Sequence, residues 1–173
     1  ATEPVGKVDK QLVDLIVEQQ KPVLFVVNKW DLYAGDVERS EWAQYLRDTF
    51  RTMPWAPIAF VTAKTGRNVK AAIDTTQRLF RQSQARVPTA ALNTIIHAAT
   101  QATRPPADRR GRPVRIYFAT QVDTAPPTIV LSTSSAESLT APYKRYLLSS
   151  LRKNAPFTEV PIKLLVRNHK SRE

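Results

Sequence analysis

Asn28, Lys29 and Asp31 form an Asn-Lys-x-Asp run directly after the apolar residues Val23, Leu24, Phe25, Val26 and Val27. These residue types suit one ligand in particular. A carboxylate such as that of Asp31 can accept two hydrogen bonds side by side, and guanine offers them from its ring N1–H and its exocyclic amino group. Adenine has an acceptor at the equivalent ring nitrogen and would leave Asp31 unpaired, a loss that a dry pocket punishes strongly. Asn28 is both donor and acceptor, so it can bond a guanine edge or tie neighbouring loops together. The aliphatic stem of Lys29 can lie against the base while its ammonium stays in water. Chance is a poor account of the run: average composition predicts roughly 0.02 such matches in a chain of this length.

A second stretch, Thr62-Ala63-Lys64-Thr65-Gly66, follows another short apolar run that ends in Ile58, Ala59, Phe60 and Val61. Both apolar runs are short, continuous and rich in β-branched residues, the pattern of strands buried on both faces in a parallel sheet. Each delivers its polar residues just past the carboxyl end of a strand, where open α/β sheets bind ligands. The two units lie about 35 residues apart, the length of a strand–helix–strand crossover. Together they resemble the two guanine-reading motifs of the TRAFAC-type GTPases, Asn-Lys-x-Asp and Ser/Thr-Ala-Lys. That resemblance implies that the Ala63 backbone N–H donates to the guanine carbonyl oxygen. It also implies that Lys64 packs on the opposite face of the base from Lys29 and that Thr62 helps shape the pocket.

Periodicity supplies the elements that must hold these motifs. Leu12, Val13, Leu15 and Ile16 mark a first helix over residues 8–19, ending before Pro22. A polar connector at residues 33–36 precedes a second helix, with Ser40 as its expected N-cap and Trp42, Tyr45, Leu46 and Phe50 as its apolar stripe. Packing on the sheet is the expected use of that stripe, rather than a binding surface. A third helix is expected over about residues 68–86, with Val69, Ile73, Thr76 and Phe80 on one side.

The chain has 173 residues and is 42% hydrophobic, enough for one sizeable domain or two small ones. No apolar run approaches a membrane span, no secretory signal opens the sequence, and there is no cysteine. Those features fit a reducing cytoplasm and exclude disulfides and thiolate metal sites. His97 and His169 stand alone, which argues against a histidine-rich metal centre. The opening Ala1-Thr2-Glu3-Pro4 reads like the start of a piece cut from a longer chain. The net charge of +11 is uneven: residues 1–87 hold 13 Lys/Arg against 10 Asp/Glu, whereas residues 88–173 hold 13 against 5. A basic half of this size is the footprint of a polyanionic partner, although solubility alone also tolerates it.

Beyond Val87-Pro88-Thr89 the expected order is helix, strand, strand, helix, strand. The first helix buries Leu92, Ile95, Ile96 and Ala99. Residues 104–113 form a basic, proline-rich loop without helix or strand character. Strands are expected at residues 114–119, with Arg115 and Tyr117 opposite Val114, Ile116 and Phe118, then at 128–132 and 161–167. Pro142 opens the intervening helix, with Tyr143, Tyr146, Leu147 and Leu151 on its buried face. Residues 168–173 read as a frayed, charged tail.

The runs Tyr117-Phe118-Ala119-Thr120-Gln121-Val122, Pro142-Tyr143-Lys144-Arg145-Tyr146-Leu147 and Pro161-Ile162-Lys163-Leu164 resemble the C-terminal KH-like domain of the Der (EngA) family. Pro4-Val5-Gly6, Asn28-Lys29-Trp30-Asp31-Leu32, Thr62-Ala63-Lys64-Thr65-Gly66 and Arg86-Val87-Pro88-Thr89 agree with it upstream. The resemblance implies bacterial proteins with tandem GTPase domains that bind GTP or GDP with Mg²⁺ and assist assembly of the large ribosomal subunit. On it, residues 1–87 are the end of a GTPase domain and 88–173 a KH-like domain. The fold class is then α/β followed by α+β, an incomplete P-loop (Rossmann-like) parallel sheet and an α-β-β-α-β unit.

Two departures matter. Neither a Gly-x-x-x-x-Gly-Lys-Ser/Thr phosphate loop nor an Asp-x-x-Gly is present among these residues, so the chain alone is expected not to hydrolyse GTP and to carry no Mg²⁺ ligands. No Gly-x-x-Gly clamp of RNA-binding KH domains is present either. Contacts to rRNA would therefore fall to side chains, the candidates being Arg104, Arg109, Arg110, Arg112 and Arg115. The alternative is a stand-alone basic module, binding RNA or packing between domains, without GTPase activity. An unpaired edge at residues 23–27 would be sticky, and a crystal is expected to show a neighbouring chain or further residues covering it.

Overall fold

The computed structural model describes residues 5–33 and 38–169. Of the connector expected at residues 33–36 all but Tyr33 lies outside them, as do the first four residues and most of the charged tail. The chain divides into two compact units, Ala1–Gln82 with Glu159–Pro161, and Ser83–Thr158 with Ile162–Glu173.

The first unit holds α1 (Lys7–Gln19), β1 (Phe25–Val27), α2 (Arg39–Thr49), β2 (Ile58–Phe60) and most of α3 (Val69–Gln84). β1 and β2 pair in parallel, Phe25 opposite Ile58 and Val27 opposite Phe60. The core gathers Val13 of α1, Val27, Trp30, Leu46, Phe50, Met53 and Ala56, and the Phe25 and Phe50 rings stack at 4.8 Å. This is the sheet-packing role expected for the stripe on α2. Ser40 is not the N-cap. The helix begins two residues earlier behind Glu38, and the Ser40 hydroxyl donates to the Glu38 carboxylate at 2.9 Å. The strand expected over residues 23–27 shortens to three residues, and Val26 is 51% exposed, so burial on both faces does not hold there. Among the described residues β1 has β2 on one side and no strand on the other. α3 buries Leu79 and Ser83, while Ile73 and Phe80 face outward.

The second unit runs α4 (Thr89–Ala102), β3 (Ile116–Asp123), β4 (Thr128–Thr133), α5 (Ala141–Asn154) and β5 (Lys163–Asn168). β4 is central, antiparallel to β3 and parallel to β5. Leu92, Ile96 and Ala99 of α4 and Leu147 and Leu151 of α5 are buried with Ala119, Ile129 and Leu131 of the sheet. Asn93 ties α4 to β3. Its amide donates to the Ala119 carbonyl at 2.9 Å and accepts from the Ala119 N–H at 2.8 Å. Thr140 caps α5 by accepting from the Tyr143 N–H, and Pro142 fits the first turn because that position needs no donor.

Tyr143 is buried, and its hydroxyl donates to the Thr103 carbonyl at 2.8 Å. Burial, helped by neighbouring Tyr146, pushes its phenol up to about 12. The folded state therefore holds this proton more tightly than the unfolded chain. That stabilisation is complete below pH 10 and is lost as pH rises towards 12. An ultraviolet titration should show one of the five tyrosines ionising near pH 12, and Tyr143→Phe should remove that late step.

Three sequence expectations for this unit need correction. β3 starts at Ile116 rather than Val114, and its alternation breaks. Ile116 pairs with Thr133 but Phe118 with Ser132, so Tyr117 is an extra residue in a β-bulge. Tyr117 and Phe118 are consequently both exposed instead of lying on opposite faces. The tail begins later than expected. Asn168 completes β5 and accepts from the Ala136 N–H at 2.7 Å, and the His169 N–H donates to the Thr133 carbonyl at 2.7 Å. The proline-rich loop also has structure, which belongs with the candidate sites.

Candidate guanine-reading loops and basic loop

The two motif loops leave the carboxyl ends of β1 and β2 and are bonded to each other. The Val61 N–H donates to the Val27 carbonyl at 2.9 Å, and one step on, the Trp30 N–H donates to the Val61 carbonyl at 3.1 Å. The side-chain oxygen of Asn28 then accepts from the Lys29 N–H at 2.8 Å and, across the gap, from the Ala63 N–H at 3.1 Å. Asn28 is thus the tie between loops, one of the two uses its chemistry allowed. The Ala63 N–H, which the resemblance assigns to the guanine carbonyl, here bonds Asn28.

Each loop is internally closed as well. Asp31 lies exposed in a short 3₁₀ turn, Trp30–Tyr33, whose Trp30 is buried edge-on against Phe60 with ring centroids 4.6 Å apart. Lys29 adopts φ +59° and is exposed. Ala63, Lys64 and Thr65 form a second 3₁₀ turn, ended by Gly66 at φ +75°, a backbone conformation that glycine enters without strain. Thr62 is buried and its N–H donates to the Arg67 carbonyl at 3.0 Å. Asn68 donates from its amide to the Phe60 carbonyl at 2.9 Å, closing the loop from behind. Sequence reasoning did not assign Trp30 and Asn68 to the site. Trp30 could have been found, since a large apolar residue inside a polar loop has to be packed somewhere.

The arrangement places an exposed carboxylate (Asp31), two exposed lysines (Lys29 and Lys64) and a buried threonine on adjoining loops at one end of a parallel sheet. The carboxylate can accept hydrogen bonds and the lysines can donate them or lie along a flat ligand.

In the second unit, Asp108 organises residues 104–113. Its carboxylate accepts from the backbone N–H groups of Arg110 at 2.8 Å and Arg112 at 3.0 Å, and from the Arg112 guanidinium at 3.0 and 3.1 Å. The Arg112 N–H leads in holding this carboxyl below its ordinary value, followed by the Arg110 N–H and the Arg112 side chain. Gly111 at φ +74° completes the turn, and Ala107 bridges Pro113. The loop is therefore a short pinned hairpin, not featureless coil. Among the five candidate RNA contacts, Arg112 is committed to Asp108. Arg104, Arg109, Arg110 and Arg115 are exposed.

Residues 86–167 match the family described as the KH-domain-like C-terminal domain of EngA bacterial GTPase enzymes. All 173 residues align at 49% identity with GTPase Der of Rhodopirellula baltica, covering 38% of that protein. GTPase Der of Thermomicrobium roseum is 35% identical over 96% of the chain, and that of Geobacter metallireducens 36% over all of it, covering 37% and 39% of those proteins. The chain thus spans under two fifths of the length of these relatives.

Proposed function

Because the chain matches the C-terminal part of the GTPases named Der (EngA), we propose that it is the guanine-reading and RNA-contacting end of a GTP-hydrolysing protein of ribosome assembly. The observation that carries this reading is the mutual bonding of the two motif loops, Trp30 to Val61 and Asn28 to Ala63. Asp31 accepts from the guanine N1–H and amino group, Lys29 and Lys64 cover the two faces of the base, and Thr62 shapes the floor. Asn28 holds the loops at the spacing the base needs, and the Ala63 N–H is shared between Asn28 and the guanine carbonyl. Phosphate binding, Mg²⁺ coordination and attack by water belong to sequence beyond these residues, so the 173-residue chain by itself does not hydrolyse GTP. The same missing segment supplies a strand for the open side of β1.

On this reading the basic second unit docks on rRNA of the large subunit in the cytoplasm through phosphate contacts from Arg104, Arg109, Arg110 and Arg115. Such binding weakens steeply with salt and has little sequence preference. Filter binding of a ribosomal RNA fragment to the chain between about 50 and 200 mM salt tests it. Each Arg→Ala change should lower the slope of log affinity against log salt by roughly one. Low-salt affinity that survives replacement of all four would refute the basic-loop assignment.

A further inference from the structure

The bulge in β3 brings aromatic side chains to the surface beside the basic residues. Tyr117 and Phe118, 49% and 44% exposed, both meet the His169 ring, Tyr117 at 4.7 Å and Phe118 edge-on at 6.0 Å. His169 is itself fixed, by its N–H to Thr133 and by a 3.1 Å bond between its Nδ1 and the Ser132 hydroxyl. Phe118 and His169 also line a groove with Val130, Ser132 and Arg167. Three rings thus gather at one place on a sheet whose central strand fixes two of them.

The surroundings are cationic. Arg167 is exposed on β5, and Arg115 is exposed directly before the bulge, its N–H donating to the Ser134 hydroxyl at 2.9 Å. The nearby acid is Glu137. Its carboxyl is held low first by its own backbone N–H, then by the Ser135 hydroxyl, the Asn168 side chain and the charge of Arg109. That set brings the pinned basic loop to the same end of the sheet as the rings.

We propose that the Tyr117–Phe118–His169 cluster is a stacking platform for unpaired bases of single-stranded RNA, with Arg115 and Arg167 holding the adjoining phosphates. It rests on the RNA reading above and deepens it by naming the substrate: a looped or unwound strand rather than a helix. Bases inside an A-form duplex are already stacked and cannot reach an aromatic ring, whereas splayed bases can. Aromatic rings flanked by cations are how proteins hold single strands without reading sequence. A second protein as occupant fits the charge less well, since this half of the chain carries 13 Lys/Arg against 5 Asp/Glu.

The test is fluorescence anisotropy of the full 173-residue chain with a labelled ten-nucleotide oligouridylate, a duplex RNA of the same length, and heparin. The expected result is that Tyr117→Ala and Phe118→Ala each weaken the single strand roughly tenfold and leave duplex and heparin unchanged. Tyr117→Phe should keep wild-type affinity, which separates stacking from any effect on folding. If wild type binds the single strand and both alanine variants bind it equally well, the platform is refuted while RNA binding stands. If wild type binds neither RNA, both readings fall together. If the variants keep RNA affinity but lose association with the amino-terminal part of a Der relative, the surface is a protein interface and the proposal is wrong.

Discussion

Asp31→Asn will cut the affinity for guanine nucleotides by about a hundred- to ten-thousandfold in a polypeptide that also carries the phosphate-binding segment. On the proposed reading, Asp31 accepts two charge-assisted bonds from the base, each contributing about 1.5–3 kcal/mol. Asparagine can still accept one donor, but its amide NH₂ then faces the guanine amino group, donor against donor. Xanthine carries a carbonyl at that position, so the variant amide can donate to it while accepting from N1–H. The variant should therefore prefer xanthosine diphosphate to GDP. Competition of the two diphosphates against a labelled nucleotide measures both changes. Unaltered GDP affinity in the variant would mean that Asp31 does not read the base. The geometry favours a clean outcome, because Asp31 is exposed on a turn that is anchored through its neighbour, so the substitution leaves the packing untouched.

That neighbour is the second test. Trp30→Ala should destabilise the first unit by about 3–5 kcal/mol, the usual effect of emptying a large buried aromatic site. Trp30 is 6% exposed and packs edge-on against Phe60 and within 6.2 Å of Tyr33, so its removal takes away ring contacts on two sides. A small domain has only about 5–15 kcal/mol to lose, so the change removes a large share of its stability. The chain has three tryptophans, at positions 30, 42 and 55, all within the first unit. Their fluorescence therefore follows that unit alone. In urea the variant's midpoint, read from Trp42 and Trp55, should fall by roughly 2 M. A midpoint within a few tenths of wild type would show that Trp30 does not hold the loop.

Much of this molecule was legible in the residues alone, for a definite reason. The helix–strand–strand–helix–strand order of the second half follows from periodicity, and periodicity is a property of near neighbours in sequence. The buried faces of α4 and α5 came out as expected for the same reason, since Leu92 and Ile96, or Leu147 and Leu151, sit one turn apart on one side of a helix. The proposed guanine-reading role of Asn28, Lys29 and Asp31 could be framed from sequence because a short loop brings them together without help from the rest of the chain.

Tertiary structure decided what depends on partners distant in sequence. That Asn28 ties the two loops rests on a bond to Ala63, and no local pattern records a contact across 35 residues. The exposure of both Tyr117 and Phe118 rests on a bulge, and a bulge is defined only against the register of the opposing strand. His169 looked like tail until Thr133 and Ser132 were seen to hold it. Arg112 looked like a spare cation until Asp108, folded back by Gly111, was seen to take it. Residue types set which chemistry the chain could perform, and the long-range hydrogen bonds set which groups are positioned to perform it.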